Sequence, residues 1–109
     1  MRVADIILEQ LGGNKFLAMT GAKNLVSDGN TLRMSLPKNM SGANKLEITL
    51  DETDTYTMRF YKYTAGGLNK KTWSWTEDKV KEVKLLGGIY CDMLQSIFTE
   101  VTGMYTRLF

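Results

Sequence analysis

The residues that could do chemistry in this 109-residue chain are few, and the most informative fact about them is an absence. There is no histidine. That removes the commonest general acid and base at neutral pH, the Ser-His and Cys-His nucleophile pairs, and every zinc site that needs an imidazole. Cys91 is the single cysteine. It falls in the first turn of the final predicted helix, where a helix N-terminus could lower the thiol pKa. With no histidine to act as its base, a packed or half-exposed small residue is the better reading. Asp51, Glu52 and Asp54 cluster oxygens that a hard cation could use, but they lack EF-hand spacing and a further ligand, so a solvated turn is favoured. Gly12-Gly13-Asn14-Lys15 and Thr20-Gly21-Ala22-Lys23-Asn24 look superficially like phosphate loops. Neither has Walker or dinucleotide spacing, and neither runs from a strand into a helix. No cofactor or metal is expected, and the expectation is a protein that binds rather than catalyses.

The sharpest feature is the stretch from Tyr61 to Trp75. Tyr61, Tyr63, Trp73 and Trp75 surround a glycine-bearing loop that carries Lys70 and Lys71. Aromatic residues are common interface anchors, and rings mixed with cations can stack single-stranded bases. The competing reading is a second small core, with one tryptophan packed on the last helix. Charge is distributed unevenly around this stretch. From Arg59 to Lys84 seven basic residues face three acids, whereas the remainder holds seven basic and nine acidic residues. From Lys45 to Asp54 one base faces four acids. The net charge of +2 is small, but two sides of opposite sign can orient and steer a partner. Asp51, Glu52 and Asp54 therefore stay as a second candidate contact surface, since an acidic rim can imitate a phosphate backbone before a basic groove.

The elements that must position these residues follow from periodicity. One domain suits the length, and 43% hydrophobic with 24% charged residues is an ordinary globular balance. No apolar run nears the ~18 residues of a membrane span, and the N-terminus does not read as a signal peptide. A soluble, cytoplasmic protein is expected. Val3, Ile6, Ile7 and Leu11 form one helical stripe, closed by Gly12-Gly13. Residues 15 to 20 are an apolar run of strand length. Residues 23 to 27 and 31 to 36 read as a hairpin about Asp28-Gly29-Asn30, with Leu32, Met34 and Leu36 inward. Pro37 stops that ladder. Residues 45 to 50 and 55 to 63 alternate again, with Tyr56, Met58 and Phe60 toward the core, so that Tyr61 and Tyr63 point away from it. Residues 65 to 72 read as a loop. For residues 76 to 86 a helix capped by Thr76 competes with a strand near Val83 to Leu86. The strand is preferred because apolar residues are too sparse for a helical stripe. From Gly88 the pattern is helical, with Tyr90, Leu94, Ile97, Phe98 and Val101 on one face and Gly103 at the end. The predicted fold is α+β: an antiparallel meander of four or five strands flanked by an N-terminal and a C-terminal helix.

Three stretches carry a resemblance: Gln10-Leu11-Gly12-Gly13-Asn14-Lys15-Phe16, Met19-Thr20-Gly21-Ala22-Lys23-Asn24, and Tyr90-Cys91-Asp92-Met93-Leu94 with Phe98-Thr99 and Thr102-Gly103-Met104-Tyr105. Together they resemble a family of small proteins carried by phages and other mobile elements of bacteria. Some of these look like type II anti-CRISPR proteins. The resemblance implies a phage-type inhibitor whose partner is a host CRISPR effector nuclease or its guide-RNA complex. It transfers no site residues. A single-stranded nucleic-acid-binding accessory protein of a mobile element is the alternative.

Overall fold

In the computed structural model, which describes residues 3–69 and 71–104, the order is α1 (Val3–Leu11), α2 (Asn14–Thr20), β1 (Lys23–Asp28), β2 (Thr31–Ser35), β3 (Lys45–Leu50), β4 (Tyr56–Thr64), β5 (Gly67–Asn69), β6 (Ser74–Thr76), β7 (Lys79–Ile89) and α3 (Leu94–Thr102). One antiparallel sheet runs β1-β2-β3-β4-β7, and β5 and β6 pair as a separate ribbon. The α+β meander with a helix from each end is therefore the fold.

The sheet is two-sided because its strands alternate. Leu32 and Met34 on β2, Leu46 and Ile48 on β3, and Tyr56, Met58 and Phe60 on β4 are all buried. Their register places Leu32 opposite Ile48 and Ile48 opposite Met58, so the apolar rows align across strands. The helices close this face with Ala4, Ile7, Leu11, Phe16, Leu94 and Phe98. Phe98 lies at the centre, edge-on to Phe16 at 5.0 Å and 6.5 Å from Phe60. Polar bonds tie the layers together: the Tyr56 hydroxyl donates to Gln10 Oε1 at 2.7 Å, and Gln95 Nε2 donates to the Gln10 carbonyl at 3.1 Å.

Residues 15 to 20 correct the sequence reading: they are a helix, not a strand. Phe16 and Thr20 are the buried positions, four apart, and the Thr20 hydroxyl donates back to the Phe16 carbonyl at 2.7 Å. Lys, Leu, Ala and Met favour helix, a preference that the shortness of the apolar run obscures. Gly21 closes this helix at φ 72°. At the other end, residues 79 to 89 form one long strand, which extends the preferred reading in both directions and consumes the residues expected to begin the last helix. Ile89 is buried as a strand residue opposite Tyr56. Tyr90, expected on the helical apolar face, instead precedes a single 3₁₀ turn and is exposed. Gly103 ends α3 in the left-handed conformation as expected.

The molecule is elongated. Its radius of gyration is 15.2 Å and its extents are 49 × 32 × 23 Å, against about 13 Å for a compact chain of this length. The excess comes from the strands β4 and β7, which go on pairing beyond the point where β3 stops at Lys45–Tyr61. Lys62, Tyr63 and Thr64 face Lys81, Val80 and Lys79, and β5-β6 continue outward from there.

Because Phe98 touches the helical and the sheet halves of the core, Phe98→Ala should cost about 3–5 kcal/mol of stability. Urea unfolding measures this directly. A change under about 1 kcal/mol would show that the helices are not held through this ring.

Candidate interaction surface

The chain between β4 and β7 builds an arm rather than a loop. Where periodicity predicts a loop over residues 65 to 72, Gly67–Asn69 instead pairs with Ser74–Thr76, with Gly67 opposite Thr76 and Leu68 opposite Trp75. Two polar clamps hold the arm at its base, and both act on Tyr63. The Asn44 side chain takes the place of a strand residue. It accepts from the Tyr63 backbone N–H at 2.7 Å and donates to the Tyr63 carbonyl at 2.8 Å. Asp78 accepts from the Tyr63 hydroxyl at 2.6 Å and from the Gly66 backbone N–H at 2.7 Å. The hydroxyl bond first, and the Gly66 amide second, hold the Asp78 carboxyl below its ordinary range, while the same carboxylate raises the Tyr63 hydroxyl. Gly66 is required where it stands, because a Cβ there would overlap the Thr76 carbonyl oxygen.

The predicted contact residues distribute as follows. Trp73 and Trp75 are 75% and 78% exposed, which removes the reading in which one of them packs on the last helix. Trp73 holds φ 55° in the turn of the ribbon, an uncommon conformation for a bulky residue. Lys71 is exposed in the same turn, and Lys70 lies outside the described residues. Tyr63 is half-buried by its position in the base of the arm. Tyr61 is a correction: it lies on the outer face of the sheet, as alternation requires, but it is only 8% exposed. The guanidinium of Arg59 covers its ring at 4.4 Å. Burial, then Glu47 beside it, raises the Tyr61 hydroxyl. Tyr61 thus belongs to the sheet and offers no open ring.

Tyr61 sits in an ion ladder that crosses every strand of the main sheet. Asp28 on β1 meets Arg33 on β2 at 3.5 Å, and Arg33 meets Glu47 on β3 at 3.5 Å. Glu47 meets Arg59 on β4 at 3.2 Å, and Arg59 meets Glu82 on β7 at 2.8 Å. The alternating signs satisfy cross-strand neighbours on a face that no described helix covers.

Asp51, Glu52 and Asp54 occupy the β3-β4 turn. Asp51 accepts from the Thr57 hydroxyl at 2.6 Å and its backbone caps the turn. Glu52 and Asp54 are exposed, and Asp54 sits at φ 61°. This turn and the arm join opposite ends of β4. The eight steps between its nine residues, at about 3.3 Å each, separate them by roughly 26 Å, so the fold keeps the two candidate surfaces apart. Cys91 is exposed, and among the described residues no three Asp, Glu or Cys side chains come together as a metal site. No described helix is long and apolar enough to cross a membrane. The chain matches no family model, no curated protein and no solved structure.

Sequence reasoning misses Asn44 and Asp78 as the clamps of the arm, since a lone Asn after a loop and a lone Asp before a strand carry no distinguishing pattern. It counts the lysines between Arg59 and Lys84 but misses that they form a row. Lys62 stands directly opposite Lys81, and both line a shallow groove with Thr64, Lys79 and Val80. Lysines at 79 and 81, two apart, are the available signal.

A depressed Asp78 means that its clamp is fully present above the ordinary aspartate pKa and is lost as pH falls through the lower value of the folded protein. The Gly66 amide resonance should therefore titrate with a midpoint below that of an ordinary aspartate, and Asp78→Asn should abolish the titration. Asp78→Ala and Asn44→Ala should each lower the heteronuclear NOE of Trp75 at neutral pH while leaving α1 and α3 unchanged. Unaltered Trp75 dynamics in both variants would show that the arm is held by something else.

Proposed function

We propose that this chain works by binding a macromolecule through its arm, without an active site. The single observation that carries this is the pair Trp73 and Trp75, open to solvent at the far end of a ribbon that stands clear of the core. Large exposed rings are disfavoured on a monomer unless a partner covers them, and tryptophan is the commonest hot-spot anchor. Leu68, across from Trp75 on the ribbon, and Val80 on β7 at its base add exposed apolar area to the arm.

The partner that this reading names is a host CRISPR effector nuclease or its guide-RNA complex, with the chain as a phage-type inhibitor. The resemblance of the sequence to anti-CRISPR proteins supports it, as does the placement of opposite charges at opposite ends of β4. An RNA-guided nuclease offers basic channels and bound nucleic acid, to which the acidic turn and the basic arm are respectively suited. The second reading is an accessory protein that binds single-stranded nucleic acid, favoured by the lysines beside the exposed rings.

Inhibition requires a stoichiometric complex. Affinity capture with several type II effectors, loaded and unloaded, together with DNA-cleavage assays, should give both binding and loss of cleavage. Trp73→Ala with Trp75→Ala should weaken capture by about 2 kcal/mol or more, roughly thirtyfold. Neither binding nor inhibition across the effectors would end the nuclease reading, and full binding by the double variant would end the arm as the surface that meets them.

A further inference from the structure

We propose that one face of the arm is a phosphate track for single-stranded nucleic acid, formed by Lys62, Lys79, Lys81 and Lys84; this rests on the reading that the arm is the contact surface. The register defines the face. Lys62 pairs with Lys81, Thr64 with Lys79, and Phe60 with Lys84, and directly paired residues share one side of a sheet. β4 is regular through these positions, so Lys62 and Thr64 continue the row of Tyr56, Met58 and Phe60 past the edge of the core. An extra residue on β7 between Lys84 and Glu82 shifts the phase there. It brings Lys84 to the same side as Lys81 and Lys79, which their spacing in sequence conceals.

Two lysines directly opposite one another repel, and a sheet selected for stability alone would not keep them. Among the described residues no ion pair relieves the repulsion. None of Lys62, Lys79, Lys81 and Lys84 takes part in an ion pair there; the ion pairs of the sheet are made by Arg33 and Arg59. Of the three acids in this stretch, Glu77 is exposed and makes no ion pair among the described residues, and Asp78 and Glu82 are engaged elsewhere. Asp78 is held by Tyr63 and Gly66, and Glu82 is held by Arg59 on the opposite face. Lys62, Lys79 and Lys81 therefore line their groove without an ion pair among the described residues. A strand of phosphates is the complementary ligand: it supplies regularly repeated charge along a line, and binding releases its condensed counterions. Unpaired bases are required for stacking on open rings, and Trp73 and Trp75 lie on the β5-β6 ribbon that follows the lysine-bearing ends of β4 and β7. That selects a single strand over a duplex.

The test is fluorescence anisotropy with a labelled oligothymidylate of about 20 nucleotides, longer than the ~4–16 that comparable sites occupy. The intact chain should bind at low salt and weaken steeply as salt rises. Lys62→Gln with Lys81→Gln should lower the slope of log K against log salt by about 1.4, since each phosphate neutralised on a single strand contributes about 0.7 to it. Lys15→Gln with Lys23→Gln, exposed and off the arm, should leave the slope unchanged. An unchanged slope in the Lys62/Lys81 variant overturns the track, and weakened binding in the Trp73/Trp75 variant alongside it would leave the rings alone as the binding element. Absence of oligonucleotide binding at low salt also overturns the track, as does lysine-dependent binding to anionic vesicles without binding to the oligonucleotide. In those cases the effector capture described above still decides the role of the arm.

Discussion

Everything else in this structure depends on one face of the sheet being covered and the other being open. Strand alternation sends Leu32, Met34, Leu46, Ile48, Met58 and Phe60 to the same side, where Phe16 and Phe98 meet them. Burying each such side chain contributes about 1.5–3 kcal/mol, which outweighs any single polar contact in the molecule. The register of β2, β3 and β4 is then fixed, because a slip by one residue would turn every apolar side chain to water.

With the register fixed, the open face has to be satisfied by polar chemistry. The ladder Asp28–Arg33–Glu47–Arg59–Glu82 does this with one residue from each strand. Pairs this exposed are individually weak, but the chain of alternating charges covers Tyr61 and leaves no like-charged neighbours in that row. The contrast with Lys62 opposite Lys81, a few residues along the same two strands, is informative. Charge is balanced where the sheet is structural and left unbalanced where the ribbon leaves the core.

The arm has no core of its own. Its order comes from backbone pairing and from Asn44 and Asp78 acting on Tyr63 and Gly66, most of it exposed to solvent. Segments with few buried apolar contacts and exposed hydrogen bonds open at lower free energy than a core does. The body of the protein is thus its most stable part, and the arm is the part that opens at lower free energy.

By itself the sequence determined the elements whose patterns are long and clean. β2, β3 and β4 alternate without interruption, α1 and the end of α3 carry a stripe with glycine beyond, and the absence of histidine bounded the chemistry. It did not determine elements whose identity depends on what lies opposite. Residues 15 to 20 are a helix because Phe16 and Thr20 reach the core together, and Ile89 ends a strand because Tyr56 stands across from it. The exposure of Trp73 and Trp75, the cover over Tyr61 and the shared face of Lys62, Lys79, Lys81 and Lys84 were likewise decided by the tertiary structure. Burial and facing are properties of pairs: a residue's own type sets what it can tolerate, but only the strand register, with the phase shift in β7, sets which neighbours it meets.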